Sequence, residues 1–304
     1  MSTRRACLCL FVAASLTVAA GAAVQSTETT FSDPVTALAL CVPFTVLIEP
    51  SASENTSVRV SDNLVGVLGA QIINGALEIT LSKAATLDTV IQVIIQVPNK
   101  DSLSLSLFGV AGAVVRGFAW TSFDASLAGA CHLLAANITA DSLGLSLAGA
   151  VDADVDGEFG TVTLTNEGVA TAVVRGVTES ASLRLMGAGS VLIAPTSDAA
   201  TIDATVLGPG TVEYTQGKCT TSGMGPATPE CQLTTEVPEQ STPAWSCGYQ
   251  LTGTPSDSCT PDTNDLFNSR RLRLRKLAQD SEDTGLNDVT ISCASSDSEL
   301  SLPD

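Results

Sequence analysis

The chain has 304 residues, a net charge of −18 and an aromatic content of only 4%. So acidic a chain excludes nucleic acid as a partner, because phosphate binding needs clustered lysine and arginine, and it disfavours adsorption to anionic membranes. Small and branched aliphatic residues replace the aromatic side chains of bulky globular cores, which favours a thin, repetitive architecture.

Residues 1–22 are predicted to be a secretory signal peptide. Arg4 and Arg5 give a basic start, residues 7–20 are apolar, and the end of this segment carries the small side chains of a cleavage site. The apolar run is short for a membrane anchor, and no later run is long and apolar enough to span a bilayer. We therefore predict a protein that is secreted, extracellular or at the cell surface, without a transmembrane segment.

Cysteine usage agrees with export. Nine cysteines are present and seven remain after cleavage, and without a CxxC pair they favour disulfides over zinc or redox sites. The disulfide candidates are Cys219, Cys231, Cys247, Cys259 and Cys293. An odd count leaves at least one thiol free or intermolecular, and strand parity places Cys131 inside the repeats as that thiol.

The segment between the signal peptide and residue 98 is rich in short predicted strands. They are residues 44–48, 57–60, 76–80 and 90–97, and Asn63 and Asn74-Gly75 mark turns between them. A stack of strands leaves unpaired amides at both ends, so we expect these strands and the Cys-rich C-terminal tail to cap the ends of the region that follows.

Residues 102–216 repeat with a period near 20 residues. Six glycines occupy equivalent points, at intervals of 20, 20, 19, 19 and 21 residues: Gly109, Gly129, Gly149, Gly168, Gly187 and Gly208. Apolar and polar residues alternate around each glycine, so the repeated unit is β-strand with one buried face. A fixed period predicts one unit stacked many times. The glycines fall on inward parity, where the backbone is predicted to pass too near the axis for a side chain or to need positive φ.

Aligning the repeats on their glycines separates inward from outward columns. The inward positions are Leu107, Leu127, Leu147, Asn166, Leu185 and Val206, with Val115, Ala135, Val155, Val174, Ile193 and Tyr214. One outward column is mostly hydroxyls, with Ser106, Ser126, Ser146, Thr165, Arg184 and Thr205. A second contains His132, Asp152, Thr171, Ser190 and Thr211. These two outward columns, apart from Arg184, are the predicted binding face. Asn166 is predicted either to line a ligand cavity or to bond free backbone groups at a corner.

The periodicity ends near residue 217. Residues 218–304 are rich in Thr, Ser, Pro and Cys, and such a tail is predicted to be largely disordered and held locally by disulfides. The domain plan is therefore a signal peptide at 1–22, a β-solenoid at 35–217 and this tail.

The order of features resembles the GIN-type adhesin-head family of exported, adhesin-like proteins. It is carried by the strands at 44–48 and 57–60, by residues 74–79 and 93–98, and by the repeated strand–Gly-x-Gly–strand units, of which Gly187–Val191 is the best copy. The resemblance covers residues 43–216. It implies a right-handed parallel β-helix or β-roll, exported, and the family has no assigned catalytic residues to carry over.

A calcium site is the one metal hypothesis that the sequence offers. Asp152, Asp154 and Asp156 with Gly157 match the start of a D-x-D-x-D-G loop, although an acidic residue is missing at the twelfth position, Thr163. The alternative is an outward strand face with an acid at every second position. No other cofactor is predicted.

Few other residues suggest chemistry. His132 lies one coil from Asp152 and is predicted to be a solvated surface residue or to contact that carboxylate. Asn55 and Asn137 are N-glycosylation acceptors in a eukaryotic host.

The predicted function is therefore non-enzymatic extracellular binding or adhesion on the outer face of the solenoid, to a glycan, a matrix protein or a cell-surface protein. Two alternatives stay open. Parallel β-helices often host carbohydrate-active enzymes, which is an analogy of fold alone. The odd cysteine also allows a structural or matrix component assembled through disulfides.

Overall fold

The computed structural model describes residues 26–82, 85–223, 230–240 and 247–251. Almost every element in these ranges is a β-strand, and a 3-10 turn lies at Asp62–Leu64. A helix with the length and apolar character needed to cross a membrane is not found within them. The predicted signal peptide, Cys259 and Cys293 lie outside the described residues.

The strands follow one another along the chain with short corners between them. They are β1 (Ser26–Phe31), β2 (Ala37–Leu40), β3 (Thr45–Ser51), β4 (Thr56–Ser61), β5 (Leu68–Ile73), β6 (Ala76–Leu81), β7 (Ala85–Val90), β8 (Val93–Pro98), β9 (Ser102–Gly109), β10 (Gly112–Arg116), β11 (Ala119–Asn166), β12 (Val169–Leu185), β13 (Ala188–Pro195), β14 (Thr201–Val206), β15 (Thr211–Tyr214), β16 (Lys218–Gly223), β17 (Gln232–Leu233) and β18 (Cys247–Leu251).

The chain winds as a β-solenoid of about six turns, which confirms the predicted fold class. Each turn adds one strand to each of two parallel ladders. Ladder A contains β6, β2 and β9, then one set of segments from the long strands β11 and β12, and finally β14 and β16. Ladder B contains β8, β3 and β10, then the other set of segments from β11 and β12, and finally β13, β15 and β17. Long β11 and β12 bend round the corners and contribute to both ladders.

The first turns are stacked out of chain order. The coil of β2 and β3 lies between the coil of β6 and β8 and the coil of β9 and β10. Antiparallel strands end this side of the stack, with β5 on β6, β4 on β8 and β1 on β4. These N-terminal strands therefore occupy the edge that the sequence analysis expected them to cover.

At the other end the stack continues past residue 217. β16 pairs in parallel with β14, and β17 pairs with β15. The disulfide Cys219–Cys231, with its Cα atoms 6.1 Å apart, joins this added coil. One further coil therefore follows the predicted end of the repeats near residue 217, and Cys219 continues the inward column beside Ile202.

The core consists of the inward columns of both ladders. One inward column contains Leu107, Leu127, Leu147, Leu185 and Val206, which are all buried, as predicted from the alternation. Tyr214, at the end of the second inward column, is only partly buried. Phe118, Trp120 and Phe123 add an aromatic cluster, with the rings of Phe118 and Trp120 stacked at 4.1 Å.

The six repeat glycines form a column at a corner of the stack, where each is at least partly exposed. A Cβ atom on Gly129 would overlap with the carbonyl of Gly109, and one on Gly168 would overlap with the backbone of Gly149. The same holds for each later glycine of the column against its predecessor. Glycine is required because adjacent coils approach each other closely there, and Gly109, Gly129 and Gly149 also have positive φ.

Candidate functional site

The outer face of ladder A carries the predicted hydroxyl column. The backbone register places Ser106 beside Ser126 and places Thr165, Arg184 and Thr205 at successive levels. All of these side chains are exposed or partly exposed. The structure therefore brings the hydroxyls together in the order in which the repeat alignment set them.

A depression of about 660 Å³ lies along this column. Its polar lining consists of Ser104, Ser106, Asp124, Ser126, Ser142, Ser146, Thr163 and Thr165. Arg184 stands in the same column one level beyond Thr165, where the run of hydroxyls ends. The depression therefore follows the first repeats rather than the whole solenoid. We call it the ladder A groove.

Asp124 is the charged residue of the ladder A groove. It occupies the column next to Ser126, and its carboxylate lies where the side chain of residue 144 would otherwise be, since a Cβ on Gly144 would overlap with Asp124 Oδ1. Gly144 thus leaves room for the carboxylate in the lining of the groove. Repeat alignment missed Asp124 and Gly144, because only the column of Ser126 was compared across the glycines.

The second predicted column lies on the outer face of ladder B. His132 Nδ1 is 3.5 Å from Asp152 Oδ2, and both side chains are exposed to solvent. Asp152, Thr171, Ser190 and Thr211 lie at successive levels of the register. The column is ordered as predicted, and it also contains the contact between histidine and aspartate that the sequence left open.

Ladder B differs from ladder A because the C-terminal segment crosses it. Thr171 and Ser190 line a depression of about 710 Å³ whose other wall is formed by residues 234–238. Arg175 Nη2 donates a hydrogen bond of 2.5 Å to the carbonyl of Pro238. Sequence analysis missed this arrangement, since the tail has no period that could align it with the repeats. Part of the predicted binding face is therefore bordered by the protein's own C-terminal segment.

Residues 36–217 match the model of the family described as "Putative auto-transporter adhesin, head GIN domain". The chain belongs to this family. The GIN domain thus accounts for the solenoid, and the resemblance noted in the sequence is confirmed.

The fold is shared with a solved structure. A putative adhesin from Bacteroides fragilis has a TM-score of 0.53 at 14% identity, over 69% of this chain and 97% of that one. A putative adhesin from Parabacteroides merdae has a TM-score of 0.44 at 16% identity, over 68% of this chain and 95% of that one. No curated protein is detectably similar to the chain.

The three aspartates of the suggested calcium loop lie on a continuous strand of the GIN domain. Asp154 forms an ion pair with Arg175, and about one-seventh of each side chain is exposed. Alternate residues of a strand are roughly 6–7 Å apart, whereas a calcium loop folds its ligands around one ion. Within the described ranges, no three His, Cys, Asp or Glu residues are grouped to hold a metal. The loop geometry suggested by the spacing of Asp152, Asp154 and Asp156 is therefore not formed.

Asn166 is the polar residue of the inward leucine column. It is fully buried, and its Oδ1 accepts a hydrogen bond of 2.9 Å from the backbone N–H of Gly168. Its Nδ2 has no partner among the described residues. Of the two predicted roles, the structure shows the backbone-bonding one at a coil corner.

The described cysteines include one free thiol and several that are disulfide-bonded. Cys131 is free and buried, and desolvation by burial raises the pKa of its thiol, while hydrogen bonds with the backbone at Ala111 and Ala128 oppose that rise. A buried neutral thiol is a poor partner for an intermolecular disulfide. Cys41, which the sequence analysis left out of its candidates, is disulfide-bonded. The side chain of Cys247 lies outside the described residues.

Both predicted glycosylation acceptors are accessible. Asn55 lies in the exposed loop between β3 and β4, and Asn137 lies at a coil corner with a φ of 55°. Attachment of a glycan at either position stays a prediction.

Proposed function

We propose that this GIN-domain protein is an extracellular adhesin that binds its ligand in the ladder A groove. The family assignment supports an adhesin-like role. The observation that carries the choice of site is the hydroxyl-lined groove, which concentrates polar side chains on one outward face. Inward residues are already used in the core, so contact with a partner must come from outward positions such as these.

The chemistry of the groove suits a neutral glycan. Serine and threonine hydroxyls both donate and accept hydrogen bonds, and the carboxylate of Asp124 accepts them from sugar hydroxyls. Sulfated or sialylated glycans are disfavoured, because the chain carries a net charge of −18 and repels anions. A matrix or cell-surface protein is the other class of ligand, and the binding array described below detects it as well.

Affinity should be spread over many weak contacts. A single hydrogen bond contributes about 0.5–1.5 kcal/mol net, so one hydroxyl changes affinity only modestly. Hydroxyls repeated over several coils add their contacts to the total binding free energy. Many copies of the protein on one surface raise the apparent affinity further through multivalency.

Replacing Ser106, Ser126, Ser146 and Thr165 together with lysine should abolish attachment, at least a hundredfold in apparent affinity. The long cationic side chains fill the groove and remove its hydroxyls, while exposed positions leave the core unchanged. Binding to a glycan and matrix-protein array measures the effect, and thermal unfolding of the same variant verifies the fold.

The matched variant carries lysine at His132, Thr171, Ser190 and Thr211 on ladder B. Attachment should persist in this variant. If the ladder B variant loses attachment while the ladder A variant keeps it, the site lies on ladder B. If neither variant loses attachment, binding by the outer face is refuted.

Catalysis is the alternative function, and the proposed adhesin is not an enzyme. Asp152 contacts His132 and Asp154 contacts Arg175, so these acids are paired rather than arranged for general acid and base roles. We expect no cleavage when the purified protein is incubated with a glycan library. Turnover that disappears in Asp152→Asn, Asp154→Asn or Asp156→Asn would overturn the assignment in favour of a carbohydrate-active enzyme.

Secretion belongs to the same proposal. The predicted signal peptide supports it, and recovery of a chain beginning near residue 23 from the culture medium would demonstrate it. Assembly into a matrix through Cys131 is disfavoured because that thiol is buried.

A further inference from the structure

A cleft lies between the outer face of ladder B and the C-terminal segment, residues 230–240. It is the depression of about 710 Å³ that Thr171 and Ser190 line on the sheet side. Ligand sites in proteins commonly enclose roughly 300–1,000 Å³, so this space can hold a small molecule or a few residues of a peptide. We call it the ladder B cleft.

The floor of the ladder B cleft is apolar at two successive levels. Val173 lies beside Leu192 in the register, and Leu192 lies beside Glu213. Ala172 and Val174, the strand neighbours of Val173, are buried in the core, so Val173 itself points outward. Leu192 is only 6% exposed. The sheet side of the cleft is therefore an apolar strip with a carboxylate at one end.

Hydrogen bonds fix the opposite wall of the cleft, which residues 234–238 form. Thr234 N–H donates a hydrogen bond of 2.9 Å to the carbonyl of Tyr214 on the last coils. Further along, Gln240 Nε2 donates one of 2.7 Å to the carbonyl of Ala135, and the carbonyl of Pro238 is held between these two points. Because the wall is held at both ends before a ligand arrives, less conformational entropy is lost on binding.

The charge of the ladder B cleft is negative. Glu213 lines it from the sheet, and Glu236 lines it from the C-terminal segment. Among the residues that the structure describes, neither carboxylate takes part in an ion pair. Arg175, which holds the wall, is itself paired with Asp154, and residues 230–240 contain no lysine or arginine. The cleft thus combines two carboxylates with an apolar floor.

We propose that the ladder B cleft binds a lysine or arginine side chain of an extended segment of a partner protein. Such a side chain has a long apolar stem and a cationic end, so it can lie on apolar surface while its charge reaches a polar group. The two level steps from Val173 to Glu213 span roughly 10 Å. The stem then covers Val173 and Leu192, and the charge meets Glu213. The hydroxyls of Thr171 and Ser190 can bond the backbone of the partner.

Fluorescence anisotropy of a labelled peptide, acetyl-Ser-Leu-Lys-Leu-Ser-amide, tests the proposal on the full mature protein. The peptide should bind at least about tenfold more tightly than its analogue with norleucine in place of lysine, because the analogue lacks the charge-assisted hydrogen bonds. Glu213→Gln combined with Glu236→Gln should weaken binding of the lysine peptide by a similar factor. The matched control is Glu158→Gln with Glu179→Gln, which removes the same charge from exposed residues that do not line the cleft.

A second variant tests the cleft by filling it. Val173→Arg should abolish binding of the lysine peptide, because the new guanidinium occupies the cleft and pairs with its carboxylates. Val173 lies on the outer face, and circular dichroism should show that the strands are retained. The ladder A variant with four lysines should bind the peptide as tightly as the unaltered protein. Failure of this proposal is therefore distinguishable from failure of glycan binding in the ladder A groove.

Two sets of results would overturn the proposal. The first is equal binding of the lysine and norleucine peptides, or no binding of either. The second is an equal loss in the two pairs of glutamine substitutions, since the peptide would then be attracted by the acidity of the whole chain and not by the cleft.

Discussion

Leu147→Asp should destabilise the solenoid by about 4 kcal/mol or more and leave most of the protein unfolded. Leu147 is fully buried in the inward column of ladder A. The substitution removes a packed side chain and places an unpaired carboxylate in the core, and each change costs several kcal/mol. Total stabilities of folded domains are only about 5–15 kcal/mol, so the loss is decisive. Because each coil contacts only its neighbours, a charge in a middle coil also separates the two halves of the stack.

The control is Ser146→Asp, one residue away on the exposed side of the same strand. It should change the free energy of unfolding by about 0.5 kcal/mol or less, as is usual for surface positions. Denaturant unfolding followed by circular dichroism measures both variants. Similar losses at the two positions would contradict the assignment of inward and outward columns.

Gly168→Ala should destabilise by about 2–3 kcal/mol, although it adds only one methyl group. The new Cβ would overlap with backbone atoms of Gly149 on the preceding coil, and those atoms can move only by separating the two coils. The cost is therefore steric and belongs to the stack rather than to the local backbone, since positive φ is recorded at Gly109, Gly129 and Gly149 but not at Gly168.

Gly109→Ala provides the comparison within the same column. No atom lies within 4 Å of the position that its Cβ would take, but its φ is +79°. Its cost should be about 1 kcal/mol, from backbone strain alone. Thermal unfolding of both variants checks the order. A larger loss at position 109 than at 168 would show that left-handed backbone, and not close approach of coils, requires the glycines.

The sequence by itself determined the solenoid and the direction of most side chains in its repeats. Alternation along a strand is a local property, because successive side chains point to opposite faces, and so Leu147 and Ser146 can be assigned without a structure. The period of about 20 residues then set equivalent positions side by side, which predicted the hydroxyl column that lines the ladder A groove. The family resemblance agrees with the same features.

Only the tertiary structure decided the features that depend on contacts between distant parts of the chain. The corner glycines are required by the coil before them, Asp124 lies over Gly144 of the next coil, and β2 and β3 are placed between coils that follow them in sequence. Residues 234–240 cross ladder B without any periodic pattern. Isolated hydrogen bonds made by Arg175 and Gln240 hold them there. Local periodicity reports which face of a strand is buried, but it carries no record of which distant segment lies over that face.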